Sequence, residues 1–215
     1  MYLNGISIIC AAGNEGELPI ALNQTLTNED KELKSFIKPT YAEVPTTNYT
    51  YHNLRYDQLY IYSNDSSEFT LKLIVYNKSR GTVTFQHAIT GNMNGGAVYY
   101  ASPEYAQEGD LTNTNFSRAF DGYVGMGSMI DPNNGRYYVL VDYFLSDNQT
   151  TNANGNYLLG FIVEGKEGQR IDCFCSGLYS SMDGYGQDGW DNGSTNGSIS
   201  DMACAHNVLV VGSYN

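Results

Sequence analysis

From about residue 49 to residue 175 the chain alternates between apolar and polar residues with a period of two, and this alternation constrains the fold most. Residues 54–62 read L-R-Y-D-Q-L-Y-I-Y, and residues 69–75 read F-T-L-K-L-I-V. A period of two is typical of β-strands that bury one face against a core. Further segments of this kind are 81–89, 97–102, 120–126, 136–145, 157–163 and 170–174.

Turn-forming sequences separate these segments, among them N-K-S-R-G, G-N-M-N-G-G, D-P-N-N-G and N-A-N-G-N. The second has the glycine content of a phosphate-binding loop, but it lacks G-K-[ST] and a following helix, so it predicts a hairpin turn. Roughly eight short strands separated by turns predict a mainly β protein. We expect an antiparallel, jelly-roll-like β-sandwich to form its largest part.

The composition and charge exclude several classes of protein. Nineteen Tyr and 23 Gly favour strands and turns over helices. With 23 acidic and only 11 basic residues, the formal net charge is -12, and no Lys/Arg cluster is present. Nucleic acid and anionic membrane surfaces attract clustered positive charge, so neither is an expected partner. No apolar run is long enough to span a bilayer. Asp and Glu are common in this chain, so the sequence does not exclude a glycosidase, but no pair of carboxylates stands out as its acid and base.

The stretch from Ile6 to Gly16, I-S-I-I-C-A-A-G-N-E-G, differs from the rest of the chain. Its first half is an apolar run without polar alternation, which is typical of a strand buried on both faces in a parallel sheet. Its second half has little side-chain bulk and carries the amide of Asn14 just beyond the carboxyl end of that strand. Open α/β sheets place their chemistry at this edge.

The loop A-A-G-N-E-G after a buried strand resembles the oxyanion-hole segment of subtilisin-like serine proteases. The final residues 203–215, A-C-A-H-N-V-L-V-V-G-S-Y-N, resemble the next core strand of the same enzymes. The resemblance implies that Asn14 donates a hydrogen bond to the oxyanion of the tetrahedral intermediate, an effect of roughly 3 to 4 kcal/mol in other enzymes. It also implies a wall of the S1 pocket formed by Ala11, Ala12 and Gly13, and further pocket residues at Gly197, Ser198 and Ser200.

Some bacterial subtilases carry a jelly-roll domain inserted between these two core strands. The strand pattern here, with D-Q-L-Y-I-Y early and G-Q-R-I-D-C-F late, is similar to theirs.

The triad strings D-[ST]-G, H-G-T-H and G-T-S-M are absent, and the residues that flank His52, His87 and His206 do not match the family's histidine motif. Triad chemistry cannot run without its base and nucleophile. We therefore expect the central segment of a protease that is inactive alone.

The resemblance implies further partners and a place in the cell. The remainder of the protease domain would bind this chain, a protein or peptide would be its substrate, and the location would be extracytoplasmic. The expected organisation is a core strand with its oxyanion loop at 1–16, a linker at 17–50, the sandwich at 51–175, a Gly/Asp/Asn-rich loop at 176–201 and the returning strand at 202–215.

The linker contains a predicted short helix in T-N-E-D-K-E-L-K-S-F-I-K-P, which begins at Thr27 and is stopped by Pro39. Three apolar residues would lie on one face of this helix: Leu33, Phe36 and Ile37. The segment at 18–26 is expected to be a loop.

Two residue types raise the question of metals. Cys10, Cys173, Cys175 and Cys204 lack C-x-x-C spacing and are interpreted as small buried thiols rather than as zinc ligands or a disulfide framework. Three acids in the Gly/Asp/Asn-rich loop could bind Ca²⁺, although their spacing lacks the EF-hand pattern. These acids are Asp183, Asp188 and Asp191. No other cofactor is indicated.

A second hypothesis is a free-standing β-sandwich binding module or pseudo-protease, with carbohydrate or protein as its ligand. Exposed aromatic side chains could form a platform for such a ligand, or they could simply fill half-buried cross-strand positions. The candidates are Tyr99, Tyr100, Tyr137, Tyr138, Tyr185 and Trp190. In a free-standing protein the two terminal strands would have to pair with each other or with a second copy, the latter by self-association.

Overall fold

The computed structural model describes residues 8–11, 18–92, 94–175, 177, 179–195 and 208–211. It confirms a mainly β protein with fifteen strands and one short helix in this part of the chain. The elements are β1 (Ile8–Ala11), β2 (Ala21–Thr25), β3 (Glu32–Pro39), β4 (Glu43–Pro45), β5 (Thr50–His52), β6 (Arg55–Ser63), β7 (Phe69–Asn77), β8 (Thr82–Gly91), β9 (Gly96–Ala101), α1 (Thr114–Ala119), β10 (Phe120–Ile130), β11 (Tyr137–Asp147), β12 (Tyr157–Glu164), β13 (Arg170–Cys175), β14 (Ser180–Asp183) and β15 (Val208–Val211). All eight strands predicted between residues 54 and 174 are present.

Two antiparallel sheets form a sandwich. One sheet has six strands in the order β2-β13-β6-β11-β10-β9, and the other has five in the order β14-β3-β12-β7-β8. The inward-pointing residues of both sheets, such as Leu59, Ile61, Leu71, Leu73 and Val141, make one continuous core. The period of two follows from this arrangement, because successive residues of a strand point alternately to the core and to the outside.

The helix predicted in the linker is wrong, since Glu32–Pro39 forms strand β3 between β12 and β14. Leu33 and Ile37 point into the main core. Phe36 points to the opposite face of the sheet, where it belongs to a second small cluster with Ile74. A strand covered on both faces has apolar residues at neighbouring positions, and here their spacing coincided with that of one helix face.

Further local differences concern the segments on either side of the predicted sandwich. The expected loop at 18–26 contains β2, which forms one edge of the six-stranded sheet. The expected loop at 176–201 contains β14, which pairs with β3. Helix α1 was not predicted; the side chain of Asn113 caps it by accepting hydrogen bonds from the backbone N–H groups of Asn115 and Phe116.

The two terminal strands pair with each other. β1 and β15 are parallel, with Ile8 opposite Val208 and Ala11 opposite Val211. The whole sandwich therefore lies between them in the sequence. Within the described ranges, no helix is long and apolar enough to cross a membrane.

Candidate functional site

Most residues assigned to a protease site by resemblance lie outside the described part of the chain. These are Ala12, Gly13, Asn14, Gly197, Ser198 and Ser200. Ala11 is the last residue of β1 and is paired with Val211 of β15. The oxyanion-hole and S1-pocket assignments therefore stay predictions.

Among the described residues, the outer surface of the six-stranded sheet has the most distinctive chemistry. We call the outward-pointing side chains of β6, β11, β10 and β9 the aromatic face. The strand register arranges them in cross-strand rows. The first row is Tyr56, Phe144 and Tyr123; the second is Gln58, Asp142, Gly125 and Tyr99; the third is Tyr60, Leu140, Gly127 and Ala97; the fourth is Tyr62, Tyr138 and Met129.

The first row forms an aromatic cluster centred on Phe144. Its ring lies 5.6 Å from that of Tyr56 and 6.1 Å from that of Tyr123, measured between centroids. Tyr51 and Tyr105 approach the same ring at 5.2 and 6.2 Å. Burial raises the pKa of Tyr123, and the negative charge of nearby Asp142 adds to this effect. The hydroxyl group of Tyr123 therefore stays protonated at ordinary pH.

A set of nearly parallel rings is formed by Tyr62 and Tyr138 of the fourth row and Tyr60 of the third. Tyr62 and Tyr138 are 5.0 Å apart at an interplanar angle of 22°, and Tyr60 lies 6.4 Å from both. The guanidinium of Arg136 lies over the Tyr62 ring at 5.2 Å and also pairs with Asp172 at 2.8 Å. Burial, together with neighbouring negative charge, raises the pKa of Tyr62 to about 12. These contacts hold the rings in fixed orientations.

A groove of about 370 Å³ lies between the two aromatic rows. Gly125 and Gly127 line it, and Tyr99, Met129 and Asp142 border it. A Cβ atom on Gly125 would lie only 2.2 Å from Cε1 of Tyr99, so the glycine lets that ring lie against the backbone. A Cβ atom on Gly127 would make ordinary van der Waals contact with the carbonyl oxygen of Gly96 at 3.7 Å, so this position can accept a side chain without a clash.

Asp142 borders one side of this groove, and a chain of polar contacts connects it to Gln58 and Tyr60 on the neighbouring strand β6. The Tyr60 hydroxyl donates to Oε1 of Gln58 at 2.8 Å, and Nε2 of Gln58 donates to Oδ1 of Asp142 at 3.4 Å. The groove thus combines flat aromatic surface with an amide and a carboxylate. Carboxylate oxygens accept several hydrogen bonds each, so Asp142 has further capacity to accept.

The six aromatic residues proposed from sequence separate into three groups. Tyr99 and Tyr138 lie on the aromatic face. Tyr100 and Tyr137 pack against the main core, as fillers of half-buried positions do. The remaining two, Tyr185 and Trp190, cover the outer face of the five-stranded sheet, where the indole stacks on Phe36 at 3.9 Å.

Five of the seven aromatic residues of this face were not predicted from sequence, including Tyr56, Tyr60 and Tyr62 on β6. The signal was present, because these residues alternate with Leu59 and Ile61 and must share the face opposite the core. Gln58 and Asp142 have no such signal, since only the register places them side by side.

Two of the three acids considered for Ca²⁺, Asp183 and Asp191, have other contacts in the structure. Asp183 pairs with Lys38 at 2.6 Å, and Oδ2 of Asp191 accepts from the backbone N–H of Lys34 at 3.3 Å. Asp191 also borders a polar cleft of about 570 Å³ with Asp30 and Glu32. Across the residues that the structure describes, no three His, Cys, Asp or Glu side chains are grouped to hold a metal ion.

The described cysteines are buried, and the described histidines lie beside other polar side chains. Cys173 and Cys175 are buried free thiols, as predicted, and burial raises the pKa of each. Nδ1 of His87 lies 3.0 Å from the Tyr100 hydroxyl, and Nδ1 of His52 lies 3.6 Å from Oε1 of Glu43. His206 lies outside the described residues.

No protein-family model, curated protein or solved structure matches this chain.

Proposed function

We propose that this chain is the central segment of a subtilisin-like serine endopeptidase, with the β-sandwich inserted between two strands of its catalytic core. The observation that carries this proposal is the parallel pairing of β1 with β15. These are the two segments whose sequences resemble neighbouring core strands of that family. The same pairing is also compatible with a pseudo-protease, which the activity tests below distinguish.

The direction of this pairing supports a shared site. Parallel strands end at the same edge of a sheet, so the chain leaves Ala11 and Val211 at one edge. In the family, the oxyanion donor follows the first of these strands and the nucleophile follows the second. Asn14 and the residues after Val211 would then meet at the scissile bond of a peptide substrate.

In this proposal the chain contributes electrostatic stabilisation and the parent protein contributes the triad. The parent's serine attacks the peptide carbonyl, its histidine accepts the hydroxyl proton, and the amide of Asn14 donates to the oxygen that becomes negative. Collapse of the tetrahedral intermediate breaks the C–N bond, and the histidine returns the proton to the leaving amine. Water then hydrolyses the acyl-enzyme by the same steps.

The decisive test is the substitution Asn14→Ala in the parent protein. We expect kcat to fall by about 10²- to 10³-fold while KM changes little, because the lost hydrogen bond acts in the transition state. Asn23→Ala is a matched control, since Asn23 is an exposed asparagine on β2. An unchanged kcat in Asn14→Ala would exclude an oxyanion role for Asn14.

A separate test uses the isolated chain. We expect no peptidase activity, because none of the family's triad strings is present in it. Peptide hydrolysis by the purified chain that a serine-directed inhibitor abolishes would contradict this expectation. An immunoblot of the source that shows only a species of this chain's mass would contradict the larger parent and favour the binding-module hypothesis.

A further inference from the structure

We propose that the groove on the aromatic face binds a neutral glycan. One sugar ring of the glycan stacks on Tyr99, and hydroxyl groups of the glycan bond to Asp142 and Gln58. This inference does not depend on the protease proposal, because it concerns a different surface. It follows from the register of four neighbouring strands and from the charges around the groove.

The second cross-strand row supplies both kinds of contact that a sugar needs. Gln58, Asp142, Gly125 and Tyr99 occupy neighbouring positions on β6, β11, β10 and β9. Neighbouring strands are about 4.8 Å apart, so the row extends over roughly 14 Å from its polar end to its aromatic end. A ligand that lies across the strands can therefore contact both ends at once.

The chemistry of a pyranose ring fits this row. One of its faces consists of C–H groups that pack against an aromatic ring, whereas its rim consists of hydroxyl groups that need hydrogen-bond partners. Tyr99 is 48% exposed, and the absence of a side chain at Gly125 lets its ring lie against the sheet. Asp142 supplies acceptors at the edge of the groove, and Gln58 supplies an amide on the next strand. The groove volume of about 370 Å³ lies within the range of small-ligand sites.

The charge distribution favours a neutral ligand over a polyanion. Two cations lie beside the aromatic face, and both Arg136 and Arg170 already pair with Asp172. The carboxylate of Asp142 borders the groove itself, and the chain carries a net charge of -12. A sulfated glycan or a nucleic acid would therefore be repelled.

The same carboxylate disfavours an apolar protein side chain as the occupant. Covering Asp142 with hydrocarbon would remove water from its charge without providing a hydrogen-bond donor, which is costly. Sugar hydroxyl groups replace that water with donors of their own. A neutral polysaccharide satisfies the carboxylate and the exposed rings at the same time.

Affinity gel electrophoresis of the purified chain tests this inference. Native gels contain hydroxyethyl cellulose, mixed-linkage β-glucan or galactomannan at increasing concentration, and dextran sulfate serves as the anionic comparison. We expect at least one neutral polysaccharide to retard the protein and dextran sulfate to have no effect. Retardation by none of the three neutral polysaccharides, or by dextran sulfate alone, would overturn the inference.

Three variants locate the binding. Gly127→Val fills the groove without a close contact at Cβ, and Tyr99→Ala removes the exposed ring; each should raise the dissociation constant by about tenfold or more. Tyr41→Ala removes an equally exposed tyrosine outside the aromatic face and should leave retardation unchanged. Circular dichroism verifies that each variant is folded. Undiminished retardation of both folded groove variants would place the ligand elsewhere and exclude this site.

Discussion

Nη1 of Arg55 donates a hydrogen bond to Oδ1 of Asp147 at 2.9 Å, and both side chains are only 2% exposed. The pair has additional partners: Nε of Arg55 donates to the backbone carbonyl of Ile37 at 2.9 Å, and Nδ2 of Asn53 donates to Oδ2 of Asp147 at 2.7 Å. A buried ion pair is tolerated when hydrogen bonds satisfy its remaining groups, as they do here. It connects β6 and β11 of one sheet to β3 of the other.

Asp147→Ala should lower the free energy of unfolding by about 3 to 5 kcal/mol, because it leaves the Arg55 charge buried without its carboxylate. Urea unfolding followed by circular dichroism measures the change. The double variant Arg55→Met/Asp147→Leu should lose much less, since it removes both charges. A loss below about 1 kcal/mol in Asp147→Ala would show that the guanidinium finds another partner or water.

Two glycines of β10 should respond differently to alanine. Gly122 has φ +126°, and a Cβ atom there would lie 1.9 Å from the carbonyl oxygen of Phe144. Gly122→Ala should therefore lower the free energy of unfolding by more than about 2 kcal/mol. Gly127→Ala should be neutral or stabilise by up to about 1 kcal/mol, because alanine reduces the freedom of the unfolded chain. Equal unfolding midpoints in urea for the two variants would contradict the strand geometry.

Phe36→Ala should destabilise the protein and change the signal of its single tryptophan. Phe36 is fully buried and stacks on Trp190 at 3.9 Å. Its truncation should lower the free energy of unfolding by about 3 to 5 kcal/mol and expose the indole to water. Steady-state fluorescence should then show a red-shifted emission in the native state. Tyr41→Ala is the control and should leave the emission unchanged; a blue-shifted emission in Phe36→Ala would contradict the stacking.

The pH dependence of stability should include a contribution from His87. Burial lowers the pKa of His87 below its ordinary value of 6.5, so the folded protein binds fewer protons there than the unfolded chain. Its contribution is fully present above pH 6.5 and declines as the pH falls through the folded pKa. The decrease in unfolding free energy from pH 7.5 to 5 should be smaller in His87→Gln than in the original chain.

Two results would contradict this assignment. An NMR titration in which the His87 ring protonates with a midpoint above 6.5 would mean that His87 stabilises the fold at low pH instead of destabilising it. An equal decrease in unfolding free energy from pH 7.5 to 5 in His87→Gln and in the original chain would mean that His87 makes no contribution. His52→Gln is the matched control, because His52 lies beside Glu43 at 3.6 Å on a different hairpin and its removal leaves the surroundings of His87 intact.

The local sequence pattern was sufficient to predict a strand where one of its faces is exposed to solvent. β6 alternates strictly between buried and outward-pointing residues from Arg55 to Ser63. The apolar core residues Leu59 and Ile61 follow this alternation, whereas the buried positions before them hold Arg55 and Asp57. The pattern was insufficient at β3, because the outer face of Phe36 is covered by Trp190, a residue far away in the sequence. No window of local sequence contains both partners, and without Trp190 the apolar spacing of β3 matches that of one helix face.

By itself, the sequence determined the strand period, the turns between strands and the absence of the family's triad strings, because each of these depends on residues close together in the chain. Only the tertiary structure decided that Gln58, Asp142, Gly125 and Tyr99 form one row and that β1 pairs with β15. Neighbours across a sheet are set by hydrogen-bond register between distant segments. A shift of one residue in that register would turn the tyrosines of β6 into the core, which the burial of Leu59 and Ile61 prevents.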